Sequence, residues 1–298
     1  MEMYIWNTVI VLSKIVFYVG FACIAGYTFF RQIFEHNESH NNSVVANLKW
    51  IRASIIVALI ANAIWFFAST GAMAEEGIQG AFDPDILDIM WDSSIGDGTL
   101  LRGIGLALAI FAITSHIKFK SVALSNSIKI SILGLSLIVL SYTFTLFGHV
   151  SELGVLEKVL LMLHVLVMAW WFGALFPLKQ ACHEQDYEQL YSLMDKFGRQ
   201  ASIAVSLLLV AGLWLAFQLV GTFAALFSSS YGQTLLLKLA LVVSILGIAA
   251  KHKLKLVPQL KNNDVREALS KSISIEMVVA FAILSVTAGL TSVVGPAN

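Results

Sequence analysis

The chain has 298 residues, of which 58% are hydrophobic and 13% charged, with 19 acidic and 19 basic side chains and a formal net charge of +0. That length would suit one large water-soluble domain, but a mean hydropathy of +0.80 excludes one. The apolar residues are also gathered into runs of roughly 20 to 25, the length that crosses about 30 Å of hydrocarbon at about 1.5 Å per residue.

Eight runs are read in chain order as membrane spans: 5–30, 48–72, 99–118, 128–149, 154–178, 196–220, 232–252 and 272–294. Strands cross a bilayer only as a closed barrel of short alternating segments, and no such alternation is present. The expected class is therefore all-α, a polytopic bundle of about eight transmembrane helices. The first run opens with Met1 and Glu2 and lacks both a basic n-region and a small-x-small cleavage site. It is read as a helix retained in the mature protein, not as a signal peptide.

The loops after the first, third, fifth and seventh runs hold fifteen of the nineteen basic residues. Positive charge marks the cytoplasmic side, so both termini are expected outside the cytoplasm. On that outer side the loop 73–98 carries Glu75, Glu76, Asp83, Asp85, Asp88, Asp92 and Asp97 and no basic residue. Within it Asp83 reads as an N-cap and Pro84 as the first residue of a short helix, whose Ile86, Leu87, Ile89, Met90 and Trp91 would face lipid headgroups. Attraction of cations by the seven carboxylates is the other reading of this loop. Cys23, inside the first span, and Cys182, in a cytoplasmic loop, are not expected to pair.

The two halves of the chain resemble each other. Ala53-Ser54-Ile55 matches Ala201-Ser202-Ile203; the stretch Ser94 to Arg102 matches Ser230 to Lys238; and Ser125 to Ser131 matches Ser270 to Glu276, at offsets of 148, 136 and 145 residues. The expected organisation is two four-helix units, 1–149 and 150–298, with the acidic loop as the main difference between them. Four helices per unit bring both units into the membrane from the same side, a parallel repeat with its functional site at the interface of the halves. The repeat makes Arg102 and Lys238 equivalent, each about one turn inside the outer boundary, where both are expected to snorkel to the headgroups. Glu276, over a turn into the last span from the cytoplasmic side, is expected to form a structural ion pair with Lys196 or Arg199, with a proton relay as the alternative.

Five of the seven histidines fall in cytoplasmic loops or at cytoplasmic helix ends, where a cation suits the helix C-terminus. The exceptions are His149, closing the fourth span beside the outer boundary, and His164, about ten residues into the fifth. An imidazole at that depth needs a hydrogen-bond partner or a metal. The partner would be a hydroxyl of Ser141, Tyr142 or Thr143. The metal reading notes Met168 at i+4 on the same helix face, with Trp171 extending it at i+7. Imidazole and thioether together suit Cu(I), a soft ion, better than Mg or Ca. His149 and His164 differ in depth by roughly 10 Å, which suits successive stations on a path better than two ligands of one ion.

These residues, in their order and spacing, resemble the copper resistance protein D (CopD) family of bacterial inner-membrane proteins. The resemblance rests on Asp83-Pro84, Gly98-Thr99-Leu100-Leu101-Arg102 and Gly148-His149 in the first half. In the second half it rests on the stretch Leu163 to Leu175, Tyr231 to Lys238, Pro258 and Ser272 to Glu276. It implies copper handling between periplasm and cytoplasm, commonly uptake, beside a periplasmic copper-binding CopC-type partner. It also implies that His149 and His164 are metal ligands; Met168 stands where relatives usually carry a small residue, so its candidacy as a ligand comes from its place beside His164 and not from the resemblance. Ser274 departs from the pattern, standing where an arginine is common.

Two functions follow from different classes. The first is copper transport or copper handling across the inner membrane, in uptake, homeostasis or resistance, by a protein that is not an enzyme and has no GxxxxGK[ST] loop for ATP. The second is a b-type haem electron carrier, since four-helix membrane units can hold haem between two histidines. The expected surroundings are the lipid bilayer and the CopC-type partner, not nucleic acid. Topology is checked with single cysteines in a cysteine-free background (Cys23→Ser, Cys182→Ser). Gln79→Cys is expected to react with an impermeant thiol reagent added to spheroplasts, and Asn262→Cys only after lysis.

Overall fold

A computed structural model describes residues 2–34, 48–115, 125–220 and 223–292. Among these no strand occurs, and eight helices are long and apolar enough to cross a membrane. They are α1 (Glu2–Phe34), α2 (Leu48–Ala74), α5 (Ser94–Thr114), α6 (Asn126–Tyr142), α7 (Val155–Glu184), α8 (Tyr187–Val220), α10 (Ser230–Lys251) and α11 (Asn263–Leu290). Between them lie the short helices α3 (Gly77–Gly80), α4 (Pro84–Trp91) and α9 (Phe223–Ser228). The all-α polytopic bundle expected from the run lengths is the architecture of the chain.

Helix starts follow local side-chain chemistry. Asp83 caps α4 by accepting from the backbone N–H groups of Asp85 at 2.9 Å and Ile86 at 3.1 Å, with Pro84 at the first helical position. Ser93, Ser125, Ser229 and Asn262 cap α5, α6, α10 and α11 in the same way. Ser93 and Ser229 are neighbours of positions that the internal repeat aligns; Ser125 is a cap, whereas its counterpart Ser270 lies inside α11. Of the apolar residues of α4, Met90 is buried and Trp91 packs edge-on to Phe66 of α2, so the acidic segment is seated on the bundle while Ile89 remains outward.

Three boundaries differ from the sequence reading. Helix continues on the basic side, where α7 runs to Glu184 and α8 restarts at Tyr187, because Asp186 accepts from Gln189 N–H and Leu190, Leu193 and Met194 carry a buried helical stripe beyond the hydrophobic run. The last helix likewise begins at Asn263, nine residues before its apolar stretch. In the other direction, α6 stops at Tyr142 and the chain passes through the tight turn Thr143–Thr145. His149 therefore does not close the fourth span. It opens a separate turn, His149–Glu152, after Gly148 has reversed the chain at φ 66°, a conformation glycine adopts without strain.

Two apolar cores hold the bundle. One is built chiefly from α1, α2, α5 and α6, and the other from α7, α8, α10 and α11, but α1 supplies Phe17, Phe21 and Ile24 to the first and Phe30 to the second. The crossing of α1 and α7 is set by a pair of glycines. A Cβ at Gly173 would stand 1.8 Å from the Ala22 carbonyl oxygen, and one at Gly26 would stand 2.2 Å from the Gly173 oxygen. Small residues let two membrane helices approach backbone to backbone, where packing rather than water exclusion drives association. The outward stripe Ile203, Leu207 and Val210 on α8 is 64 to 69% exposed, as a lipid-facing surface should be.

Gly173→Val is expected to separate α1 from α7 and to destabilise the bundle by about 1–3 kcal/mol or more. A lower thermal midpoint in detergent, compared with Gly247→Val, checks this, because Gly247 has open space around its Cβ position.

Candidate functional site

The residues with chemistry on α7 form one line down the helix. His164, Met168 and Trp171 succeed one another at i, i+4 and i+7, and the structure sets them against α8, α10 and α11. His164 lies against Gly212 of α8, whose ideal Cβ would be 3.2 Å from the ring Cε1, so the absence of a side chain there makes room for the imidazole. Its Nδ1 is buried and has no hydrogen-bond partner. The hydroxyls expected to satisfy it are engaged elsewhere: Ser141 donates to the Ile138 carbonyl and Thr143 to that of Leu140. A buried polar atom without a partner is rare enough in a folded protein to need a reason.

One turn further in, Met168 lines an apolar cavity with Trp171, Leu208, Ile245, Ala280 and Ile283, at the meeting of α7, α8, α10 and α11. Trp171 forms its floor and is 5% exposed. The indole Nε1 donates to Glu276 Oε1 at 2.8 Å. Glu276 is 2% exposed, and its second oxygen lies 3.2 Å from Nδ1 of His252, whose Nε2 is 2.7 Å from the Ser272 hydroxyl. The carboxylate is thus held by α7 and by the end of α10, with both oxygens engaged.

This corrects the expected pairing of Glu276 with Lys196 or Arg199. Arg199 instead pairs with Asp195 one turn away at 3.0 Å on the surface of α8, because α8 continues as helix past its apolar run and carries both side chains outward together. His252 was grouped in the sequence with histidines at helix C-termini, and so its role was missed. The available signal was that Glu276 and His252 lie at comparable depths from the same membrane face. His183, also on that side, is 2.8 Å from the Ser270 hydroxyl. His36, His40 and His116 lie outside the described residues, as does the side chain of His149; its backbone is in the turn between α6 and α7.

Arg102 and Lys14 are buried basic residues of the first four spans. Arg102 does not snorkel: it is 2% exposed, with its guanidinium over Phe17 and Trp65 at 4.4 Å and over Phe147 at 5.1 Å. Gly98 makes this cage possible, since a Cβ there would meet the Phe147 ring at 2.0 Å. Nε also donates to the Thr143 hydroxyl at 3.4 Å. Cation–π contact with desolvated rings is worth about 2 kcal/mol, which favours enclosure over a climb to the surface. Lys14, which hydropathy submerges in the first span, donates to the Thr291 carbonyl at 3.1 Å, where the C-terminal end of α11 favours a cation. Lys238, the repeat equivalent of Arg102, is half-buried.

No three His, Cys, Asp or Glu side chains come together as a ligand set among the described residues. The donors that the geometry offers along α7 are instead an imidazole and a thioether, one turn apart. Removing both hydrogen-bonding oxygens in Glu276→Ala strands the Trp171 indole and His252 and is expected to cost about 3–5 kcal/mol, whereas Glu276→Gln, which keeps an acceptor for the indole, is expected to lose less than half of that. Thermal unfolding of the two variants in one detergent separates them.

Comparison with known proteins bears on the whole chain. A family model described as "Copper resistance protein D-like, N-terminal domain" matches residues 3–159, and one described as "Copper resistance protein D" matches residues 191–290. The chain is 24% identical over 292 residues to the "Copper transport protein CutJ" of Bacillus subtilis (strain 168). That alignment covers 95% of this chain and 52% of the relative, so the chain spans about half of the relative's length. No solved structure matches.

Proposed function

This chain belongs to the copper resistance protein D family, and we propose that it passes copper ions across the bacterial inner membrane without using ATP. The observation that carries the reading is the buried imidazole of His164, whose Nδ1 makes no hydrogen bond of regular geometry and which stands one helical turn from Met168. A soft monovalent ion taken by imidazole nitrogen and thioether sulfur, Cu(I), is the cargo that such a donor pair favours. The activity named for the Bacillus subtilis relative supports this assignment.

The ion enters from the periplasmic side at His149, in the turn between α6 and α7, and moves to His164 and Met168 inside the second half of the chain. Both termini face the periplasm in this reading, which follows from the distribution of lysine and arginine. We read residues 1–149 and 150–298 as two parallel four-helix units, the first packing around the caged Arg102 and the second around the α7 donors. A CopC-type periplasmic protein is the proposed donor or acceptor of copper at the outer face. The haem alternative has no observation in its favour.

Vesicles containing purified protein and an internal Cu(I) chelator check the site. His164→Ala is expected to reduce copper accumulation at least tenfold, the consequence of losing about 1.4 kcal/mol or more of ion binding. His149→Ala is expected to slow entry, and Met168→Leu to reduce accumulation while keeping the volume of the side chain. Unchanged accumulation in both histidine variants, with normal insertion, rejects the site.

A further inference from the structure

The cavity that Met168 opens ends on Trp171, and behind Trp171 stands a carboxylate that copper binding at α7 does not use. Glu276 is buried in a helix that crosses the membrane, where an ionised group is retained only with a partner. Had that partner been the lysine or arginine of the sequence reading, the carboxylate would be held permanently as an anion. Its partner is an imidazole, at 3.2 Å, and imidazole ordinarily changes charge between about pH 5 and 8.

The surroundings direct this pair toward the cytoplasmic side. Glu276 is enclosed, whereas the side chain of His252 is 13% exposed, so the imidazole is the member of the pair with access to water. His252 also begins the π-helical turn His252–Leu256, where the regular hydrogen-bond ladder of α10 ends. Departures of this kind from α-helical winding recur at functional sites because they free backbone groups and re-aim side chains.

No other charged group is placed to neutralise the pair among the bonds described. On α8, Arg199 pairs with Asp195, and Lys253 of the π-turn donates to Ser202 of that helix at 2.6 Å. On α11, Lys271 pairs with Glu267 at 2.7 Å, and Arg266 donates to the carbonyls of Cys182 and Gln185. His183 of α7 is bonded to Ser270. The other charged side chains of these elements are Lys179, Glu184, Glu188, Lys196, Lys251, Lys255 and Asp264 at the basic rim, and Glu157, Lys158 and Lys238 toward the opposite ends of α7 and α10; none is bonded to the pair among the bonds described.

From this geometry we propose that Glu276 and His252 form a proton-binding site that exchanges a proton with the cytoplasm as copper occupies His164 and Met168, on the helix that also bears Trp171. The proposal rests on the copper reading above and deepens it to copper–proton exchange. With one proton the pair is neutral overall, as carboxylic acid beside imidazole or carboxylate beside imidazolium. Without it the pair carries one negative charge. A monovalent copper ion held by an imidazole and a thioether, both neutral donors, is an uncompensated buried charge unless a counter-charge appears near it. Loss of the proton from the pair supplies that charge, leaving through His252 to cytoplasmic water, and return of the proton expels the ion. Charge balances at each stage: one Cu(I) in, one proton out.

Trp171 couples the two sites. Its ring lines the cavity beside Met168 and its Nε1–H donates to the carboxylate, so it stands between the thioether and the group whose proton is lost. Trp171 is a positioning residue in this scheme. Its replacement by phenylalanine keeps an aromatic floor and removes the donor.

The test uses full-length protein and Cu(I) itself as the probe. Infrared difference spectra of the purified protein, taken as the pH is lowered, are expected to contain a protonated-carboxyl band that is lost in Glu276→Gln and shifted in His252→Gln. Adding Cu(I) is expected to remove that band in wild type and to release about one proton per ion bound, falling to near zero in Glu276→Gln. Trp171→Phe is expected to bind copper while shifting the band. A wild-type spectrum indistinguishable from that of Glu276→Gln overturns the proposal, as does a band indifferent to copper in protein shown to have bound it. If wild-type vesicles pass no copper but the band titrates and responds to Cu(I), the transport reading fails and the proton site stands.

Discussion

A charge placed inside a bilayer must be met by something other than water, and this constraint organises the interior of the chain. Arg102 is met by three aromatic faces, Lys14 by the carbonyl end of α11, and Glu276 by an indole and an imidazole. These solutions differ in what they permit. The aromatic cage encloses a guanidinium, and the helix terminus offers a carbonyl to an ammonium. Of the three, the carboxylate is the one paired with a group that can itself gain or lose a proton, and its indole partner Trp171 lines the cavity between α7, α8, α10 and α11.

The packing makes those placements possible. Glycines at 26 and 173 bring α1 and α7 into backbone contact, so that α1 serves both apolar cores and fixes α7, the helix bearing His164, Met168 and Trp171, against the first half. Gly98 and Gly212 do the same work on a smaller scale, one admitting a ring of the arginine cage and the other the imidazole of His164. A side chain at Gly98 or Gly212 would meet the Phe147 ring of the cage or the His164 imidazole, and one at Gly26 or Gly173 would meet the backbone of the facing helix. In a membrane, where apolar contact with lipid competes with apolar contact within the protein, such close approaches define the bundle more sharply than bulk hydrophobicity can.

How much of this was legible in the sequence follows from what hydropathy measures. Runs of apolar residues identify spans because lipid demands them, and all eight expected spans correspond to helices. The same measure ends a helix where polarity begins, which is why the extensions of α7 and α8 past the hydrophobic run were read as loop and the start of α11 was set at 272. Capping chemistry carried better information: Asp83-Pro84 marked the start of α4 correctly. Among site residues, the depth of His164 and its register with Met168 were visible from helical periodicity. The partner of Glu276 was not, because pairing across helices depends on rotation about each axis, which a one-dimensional pattern leaves open. Basic residues at the start of the sixth span, on the same membrane face, suggested Lys196 and Arg199, and the fold places His252 there instead. Lys14 was missed altogether because the mostly apolar residues on either side outweigh one cation in any window.

The central claim is that copper binds on the α7 face at His164 and Met168. X-ray absorption at the copper edge, on purified protein loaded with stoichiometric Cu(I), tests it most directly. The account predicts a low-coordinate site with both imidazole nitrogen and thioether sulfur scattering, the sulfur contribution lost in Met168→Leu and the imidazole pattern reduced in His164→Ala. Spectra unchanged by both substitutions, or a first shell made of oxygen alone, would contradict it.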